Sequence, residues 1–151
     1  MNFIRTDSSN NHFQQLVVLL DAHLKVTDGD AHDFYNQFNK ITHIRHVIVA
    51  FIDEQPVGCG AFKEYSTDSV EIKRMFVMPE HRGQRIANKI LDQLEEWAGE
   101  LKFTYCILET GKNQPEAIRL YERTGYHRIP NYGQYEKIEN SVCMKKAVSK
   151  Q

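Results

Sequence analysis

Residues 77–87 show the spacing that most clearly predicts chemistry. They suggest the end of a strand, a turn at Pro79 and the start of a long helix. The first turn of a helix exposes N–H groups that lack helical partners and carries the positive end of the helix dipole, so it can bind phosphate. Arg82 and Arg85 would add charge-assisted contacts, and Gly83 would let an anion approach the backbone closely. We predict a diphosphate site here; the alternative is a plain strand–helix turn with solvated arginines.

A second informative block covers residues 108–126. Pro115 is suited to the first turn of a helix, and Gly125 is suited to the left-handed conformation that ends one. Between them, Ala117 and Tyr121 lie on one face at helical spacing. The block therefore predicts a short helix that follows a buried strand.

Together the two blocks resemble the motifs of the GNAT superfamily of N-acetyltransferases, and the chain looks like a small bacterial-type member. The first block is similar to the acyl-CoA-binding signature Arg/Gln-x-x-Gly-x-Gly/Ala, with Arg82 and Ala87 matching and Arg85 replacing the middle glycine. The second is similar to Asn-x-x-Ala-x-x-Leu/Phe-Tyr-x-x-x-Gly-Phe/Tyr, with Gln114 in place of the asparagine. The residues that match in the second block are Ala117, Tyr121, Gly125 and Tyr126.

The resemblance implies an α/β fold, with a central, mostly antiparallel mixed sheet and helices on both faces. It also implies direct transfer of an acetyl group from acetyl-CoA to a primary amine of a small molecule, protein or peptide. A non-catalytic CoA-binding regulatory or sensor module on the same fold is the alternative, which Arg85 and Gln114 keep open. A module for another phosphate ligand, such as ATP or NAD, is a third reading. The residues implied to bind the cosubstrate are Phe76, Val77, Arg82, Gly83, Gln84, Arg85, Ile86, Ala87, Gln114 and Tyr121.

Acetyl transfer to an amine requires a base, because a lysine-like amine with a pKa near 10.4 arrives protonated. Glu71 is the candidate, since many members of the superfamily place a carboxylate on the strand before the CoA turn; the alternative is a solvated strand glutamate. Tyr121 is the candidate acid for the departing thiolate, and its alternative is a core aromatic residue. A backbone N–H near Phe76 or Val77 is expected to stabilise the oxyanion, and the same strand edge to bind the pantetheine amides.

Hydrophobic periodicity predicts the elements that must position these residues. The order is α, α, β, β, β, α, β, α, β, β, which is typical of a mixed sheet with helices packed on it. The first three strands are expected to form an antiparallel meander. The predicted helices cover residues 13–24, 34–39, 86–101 and 115–123, and the predicted strands cover residues 47–52, 57–65, 70–78, 103–108, 126–129 and 141–145.

Composition limits the classes of protein. The 151 residues, 41% hydrophobic and 26% charged, fit one globular domain over residues 1–151. A net charge of −1 does not favour a nucleic acid or an anionic membrane as partner. No signal peptide or membrane span is recognised, and three widely spaced cysteines suggest a reducing, cytoplasmic location. The resemblance leaves a homodimer open.

Weaker patterns receive structural interpretations. His43 and His46 lack further ligands at metal spacing, so we predict no metal site. The three cysteines are expected to be buried small hydrophobic residues. The acidic segment Asp28, Asp30 and Asp33 is expected to be a solvated loop, or else to face the acceptor site and attract a cationic amine. Tyr132 and Tyr135 are expected either to line that acceptor cleft or to cap the sheet.

Overall fold

The computed structural model describes residues 1–28 and 43–148. Its strands are β1 Asn2–Thr6, β2 His46–Ile52, β3 Gln55–Glu64, β4 Ser69–Val77, β5 Tyr105–Gly111, β6 His127–Ile129 and β7 Ser141–Ala147. Its α-helices are α1 Asn11–Asp28, α2 Ile86–Glu100 and α3 Pro115–Arg123. Short 3₁₀ turns cover Pro79–His81 and Gly133–Tyr135. The helix expected over residues 34–39 lies outside the described residues, as do Asp30, Asp33 and the side chain of Asp28.

All seven strands form one sheet, in the order β1-β2-β3-β4-β5-β7-β6. The β4–β5 pair is parallel and the other pairs are antiparallel. The α/β fold class and the antiparallel meander of β2, β3 and β4 are thus confirmed. Among the described helices, none has the length and apolar character that crossing a membrane requires.

Two hydrophobic cores lie on opposite faces of the sheet. Ile90 and Leu94 of α2 pack on one face with Ile48 and Leu108, all at most 1% exposed. Amphipathic α1 covers the other face, and Asn10 caps it by accepting a hydrogen bond from the N–H of Phe13 at 3.0 Å. Helices on both faces agree with the expected architecture.

The structure corrects three element boundaries. The N-terminal region is not only helical, because β1 pairs with β2 at the edge of the sheet. The strand expected over residues 103–108 begins at Tyr105 and continues to Gly111, since β7 supplies hydrogen-bonding partners along that whole length. The break between β2 and β3 is only Asp53 and Glu54, both at positive φ, which is the geometry of a two-residue type I′ hairpin.

Candidate active site

The site is built where two neighbouring strands separate. β4 and β5 are paired only from Ser69–Tyr105 to Glu71–Ile107. Beyond Glu71, β4 continues to Val77 along β3, while β5 continues to Gly111 along β7. One edge of β4 therefore lacks a neighbouring strand in this region, and Phe76 and Val77 lie on it.

A cavity of about 300 Å³ opens between the separated strands. Its walls come from β4, β5, α1, α2, α3 and the turn before α2. The predicted site residues that line it are Glu71, Phe76, Val77, Arg82, Ala87, Gln114 and Tyr121. Its size falls at the lower end of typical ligand sites.

The turn before α2 presents free backbone donors. Within the described part of the chain, the N–H groups of residues 83–87 have no hydrogen-bond acceptor. Gly83 has φ +83°, and a Cβ built on it would meet no atom within 4 Å. Gln84 and Arg85 are exposed with it, whereas the Ile86 side chain is 1% exposed and belongs to the core, so only its backbone is available. An anion can approach this helix start without steric obstruction.

Arg82 is partly engaged within the protein. Its Nε donates a hydrogen bond to the carbonyl of Val77 at 3.0 Å, and its guanidinium lies 5.7 Å from the Phe76 ring centroid. These contacts bind the turn to the end of β4. Arg82 is nevertheless exposed to solvent, so the alternative of a plain turn with solvated arginines stays open.

Arg85 stands at the middle glycine of the acyl-CoA-binding signature, and its backbone conformation is one that glycine adopts readily. It precedes α2 with φ 62° and ψ 23°, in the left-handed region that L side chains adopt at a cost of about 1–2 kcal/mol. The substitution of arginine for glycine therefore preserves the course of the chain into the helix.

Glu71 is buried rather than solvated, with 2% of its surface exposed. The Tyr132 hydroxyl donates a hydrogen bond of 2.7 Å to its Oε2, and Lys73 Nζ lies 3.5 Å from its Oε1. Desolvation, and then the neighbouring carboxylate, raises the pKa of Tyr132 far above its usual value. Desolvation lowers the pKa of Lys73, and Glu71 opposes that shift. The alternative of a surface glutamate is excluded.

Tyr121 lines the cavity from α3 and is 7% exposed. Burial, followed by the charge of Glu109, raises the pKa of its phenol well above 10. Its ring makes an edge contact with Tyr126, at 5.7 Å between centroids. The phenol is consequently protonated at neutral pH and can donate a hydrogen bond.

Sequence reasoning missed a pair of buried cations beside Glu71. In β4, Lys73 and Arg74 are 8% and 7% exposed, and both line the cavity. Arg74 has φ 60° and forms a β-bulge, since two residues of β4, Arg74 and Met75, lie opposite Gly60. The sequence did contain a signal for this cluster, because Glu71, Lys73 and Arg74 place three charged residues within four positions of a predicted strand.

Other predicted residues have structural surroundings. Gln114 precedes α3, and its side-chain amide donates to the Thr27 hydroxyl of α1. His46 stacks on Phe62 at 4.6 Å between ring centroids, and no cluster of three or more metal-ligating side chains occurs within residues 1–28 and 43–148. The buried free cysteines, as expected, are Cys59, Cys106 and Cys143.

The sequence matches the acetyltransferase (GNAT) family over residues 14–126, and the chain belongs to that family. It is 35% identical over 91 residues to the IAA acetyltransferase of Azospirillum brasilense, an alignment that covers 60% of either protein. The chain therefore spans less than two thirds of that curated relative.

Solved structures share the complete fold. A Klebsiella pneumoniae protein considered an acyl-CoA N-acyltransferase is 26% identical, with a TM-score of 0.82 over 97% of either chain. The PaiA N-acetyltransferase of Thermoplasma acidophilum, crystallised with coenzyme A, has a TM-score of 0.70 at 15% identity and covers 97% of this chain and 99% of its own.

Proposed function

We propose that this protein transfers the acetyl group of acetyl-CoA to a primary amine of a small molecule or peptide. The observation that carries the proposal is the continuity of one cavity from the helix start at Arg82 and Ala87, past Tyr121, to Glu71. Membership of the GNAT family supports it, as does the coenzyme A complex of a protein with the same fold.

The residues present fit a CoA-type cosubstrate. The free N–H groups of residues 83–87 suit its diphosphate, and the open edge of β4 suits the amides of its pantetheine arm. Acetyl-CoA would supply an activated acetyl group as a thioester. Backbone N–H groups near Phe76 and Val77 would polarise the thioester oxygen.

Two side chains would handle the protons. Glu71 would accept the proton that the ammonium must lose, directly or through water, so that the amine nitrogen can form a bond to the acetyl carbon. As the carbon–sulfur bond breaks, Tyr121 would donate its proton to the leaving sulfur. The nitrogen gives up a second proton to water as the amide forms, Glu71 passes its proton to solvent, and Tyr121 regains one from solvent. The products are an amide, free CoA and one released proton.

The binding step is tested by calorimetry with Gly83→Asp and Gly83→Asn. Both side chains tolerate the left-handed backbone at φ +83° and enter open space, and they differ by one negative charge. We expect acetyl-CoA to bind Gly83→Asp at least about tenfold more weakly than Gly83→Asn, because the aspartate would face the diphosphate. Equal affinities would place the diphosphate elsewhere, and binding of ATP or NAD in preference to acetyl-CoA would contradict the proposal.

The transfer step is tested by release of free thiol from acetyl-CoA in the presence of a panel of amines. Turnover supports an enzyme. Tight acetyl-CoA binding without turnover of any amine would instead indicate a non-catalytic CoA-binding module. One observation favours that alternative: both Glu71 oxygens already have partners within the protein, Tyr132 and Lys73.

A further inference from the structure

The wall of the cavity that faces α1 holds an unusual set of buried charges. Glu71 and Lys73 alternate with Ile72, which packs in the core of the opposite face. Regular alternation would also direct Arg74 into that opposite core. The bulge instead lets Arg74 reach Asp21 of α1, where Nη1 donates a hydrogen bond of 2.7 Å. Two cations therefore lie next to each other on one wall.

These cations have more donors than partners. The Arg74 side chain is 3% exposed, and its buried Nε has no hydrogen-bond partner among the described residues. The Lys73 ammonium, 6% exposed at its side chain, can donate three hydrogen bonds and meets Glu71 at 3.5 Å. Because a buried donor without an acceptor is unfavourable, a cavity wall that keeps such a donor is suited to a ligand that supplies an acceptor.

Two carboxylates, those of Glu71 and Glu109, line the same cavity as these cations. After burial, the charges of Glu109 and Glu71 raise the pKa of the Tyr135 phenol. All three residues line the cavity. A protonated amine would be attracted to this end and would meet the proposed base there.

The closeness of the opposite charges limits the size of the ligand. Lys73 Nζ lies 3.5 Å from Glu71 Oε1, and Arg74 directly follows Lys73 in the strand. A ligand that contacts both the carboxylate and the cations must therefore carry its amine and its anionic group close together. Such a short separation is found in α- and β-amino acids.

We propose that the acceptor is a small amino acid whose carboxylate is bound by Arg74 Nε and Lys73 while its amine faces Glu71. The inference rests on the proposed acetyl transfer and defines its substrate class. The existing ion pairs support it, because Lys73 pairs with Glu71 and Arg74 with Asp21. A zwitterion adds no net charge to this wall, whereas a simple amine or a simple carboxylate would leave one charge unbalanced.

The test compares matched acceptors: a panel of α- and β-amino acids, and the same compounds as carboxamides. We expect kcat/KM for the acid to exceed that for its carboxamide by at least about 100-fold, because an amide cannot satisfy both cations. Binding is measured in parallel by calorimetry, using N-acetylated acids and N-acetylated carboxamides with CoA present. This readout does not depend on turnover.

Two variants locate the effect. Arg74→Lys keeps the positive charge but lacks the Nε donor, and Lys73→Met removes one charge at similar volume. Each variant should reduce the ratio of kcat/KM for the acid to kcat/KM for its carboxamide by roughly 10–100-fold, which corresponds to one hydrogen bond between charged groups. The affinity for acetyl-CoA should stay unchanged. Lys102→Met replaces an exposed lysine that follows α2 and does not line the cavity, so it is the matched control and should keep the preference.

The outcomes separate the two proposals. Equal use or equal binding of acid and carboxamide, including no binding of either, overturns the amino-acid proposal and leaves acetyl-CoA binding intact. An unchanged preference in both Arg74→Lys and Lys73→Met also overturns it. Failure of the wild-type protein to bind acetyl-CoA contradicts the proposed function itself.

Discussion

Tyr121 and Glu71 are two buried groups that differ in what surrounds them. The phenol lies in a desolvated position that keeps it protonated, while the carboxylate has a cation on one oxygen and a hydroxyl donor on the other. Both groups line one cavity, as the proposed roles of proton donor and proton acceptor require. Variants of the two residues test those roles.

Tyr121→Phe and Glu71→Gln should each lower kcat by about 10²–10⁴-fold while the Kd of acetyl-CoA stays nearly constant. Each variant removes a proton-transfer group and keeps the volume of the side chain. Steady-state kinetics and calorimetry measure the two quantities. Tyr126→Phe is the matched control, because this buried tyrosine binds Glu95 outside the cavity and should alter stability more than turnover. Near-normal turnover in both active-site variants would exclude the acid–base roles.

Arg85→Gly should raise the free energy of unfolding by about 0.5–1 kcal/mol. Relief of the left-handed strain at φ 62° outweighs the extra chain entropy of glycine. Urea unfolding measures the change. Gln84→Gly, one residue earlier and without a positive φ, should not stabilise the protein; an equal gain there would mean that strain at Arg85 is not the cause.

At the scale of elements, the bulge in β4 and the close packing of α2 occur at the same place. A Cβ at Gly60, opposite the bulge, would lie 2.5 Å from Met75 Sδ and 2.8 Å from Ile90 of α2. Glycine thus allows α2 to approach the sheet at the point where Arg74 is redirected towards the cavity.

Gly60→Ala should lower the free energy of unfolding by about 1–3 kcal/mol, the usual cost of overpacking. Gly99→Ala in α2 is the control, because its Cβ would meet only the Val148 carbonyl at 3.7 Å. That variant should gain about 0.5–1 kcal/mol. Chemical denaturation of the two variants measures whether the free energy of unfolding falls in Gly60→Ala and rises in Gly99→Ala. A Gly60→Ala protein as stable as the wild type would show that α2 can move away from the sheet.

At the scale of the whole molecule, folding buries three thiols that ionise in the unfolded chain. Burial raises the pKa of Cys59 and Cys106 from 9.0 to about 12, and that of Cys143 to about 11. Between pH 9 and 11 the unfolded chain releases protons that the folded protein keeps. The contribution to stability is complete below pH 9 and is lost as the pH rises.

The free energy of unfolding should therefore fall above pH 9, by about 1.4 kcal/mol per pH unit for each thiol that ionises only after unfolding. Urea unfolding at pH 8, 9 and 10 measures the slope. In Cys106→Ala, the decrease in the free energy of unfolding per pH unit should be smaller by the contribution of one thiol. A flat profile, or rapid reaction of the native thiols with a disulfide reagent, would show that the cysteines are accessible.

The sequence alone determined the features that depend on neighbouring residues. Helix α2 follows from its apolar periodicity, and α3 follows from Pro115 at its start and Gly125 after its end. The same two motifs place Arg82 and Gly83 in the turn before α2 and Tyr121 in α3. The family resemblance rests on these same local motifs. The interactions involved span at most a few residues, so residue types and spacing suffice to predict them.

Only the tertiary structure decided what depends on distant partners. Strand β1 has five residues and exists through pairing with β2, more than forty residues later in the chain. Strand β5 leaves β4 after Ile107 and continues along β7 to Gly111. The orientation of Arg74 results from a bulge that faces Gly60 and a contact with Asp21. Burial of Glu71 and Lys73 depends on elements that pack over them. Pairing, bulges and burial are properties of the assembled sheet, because the energy of each contact comes from residues that are remote in sequence.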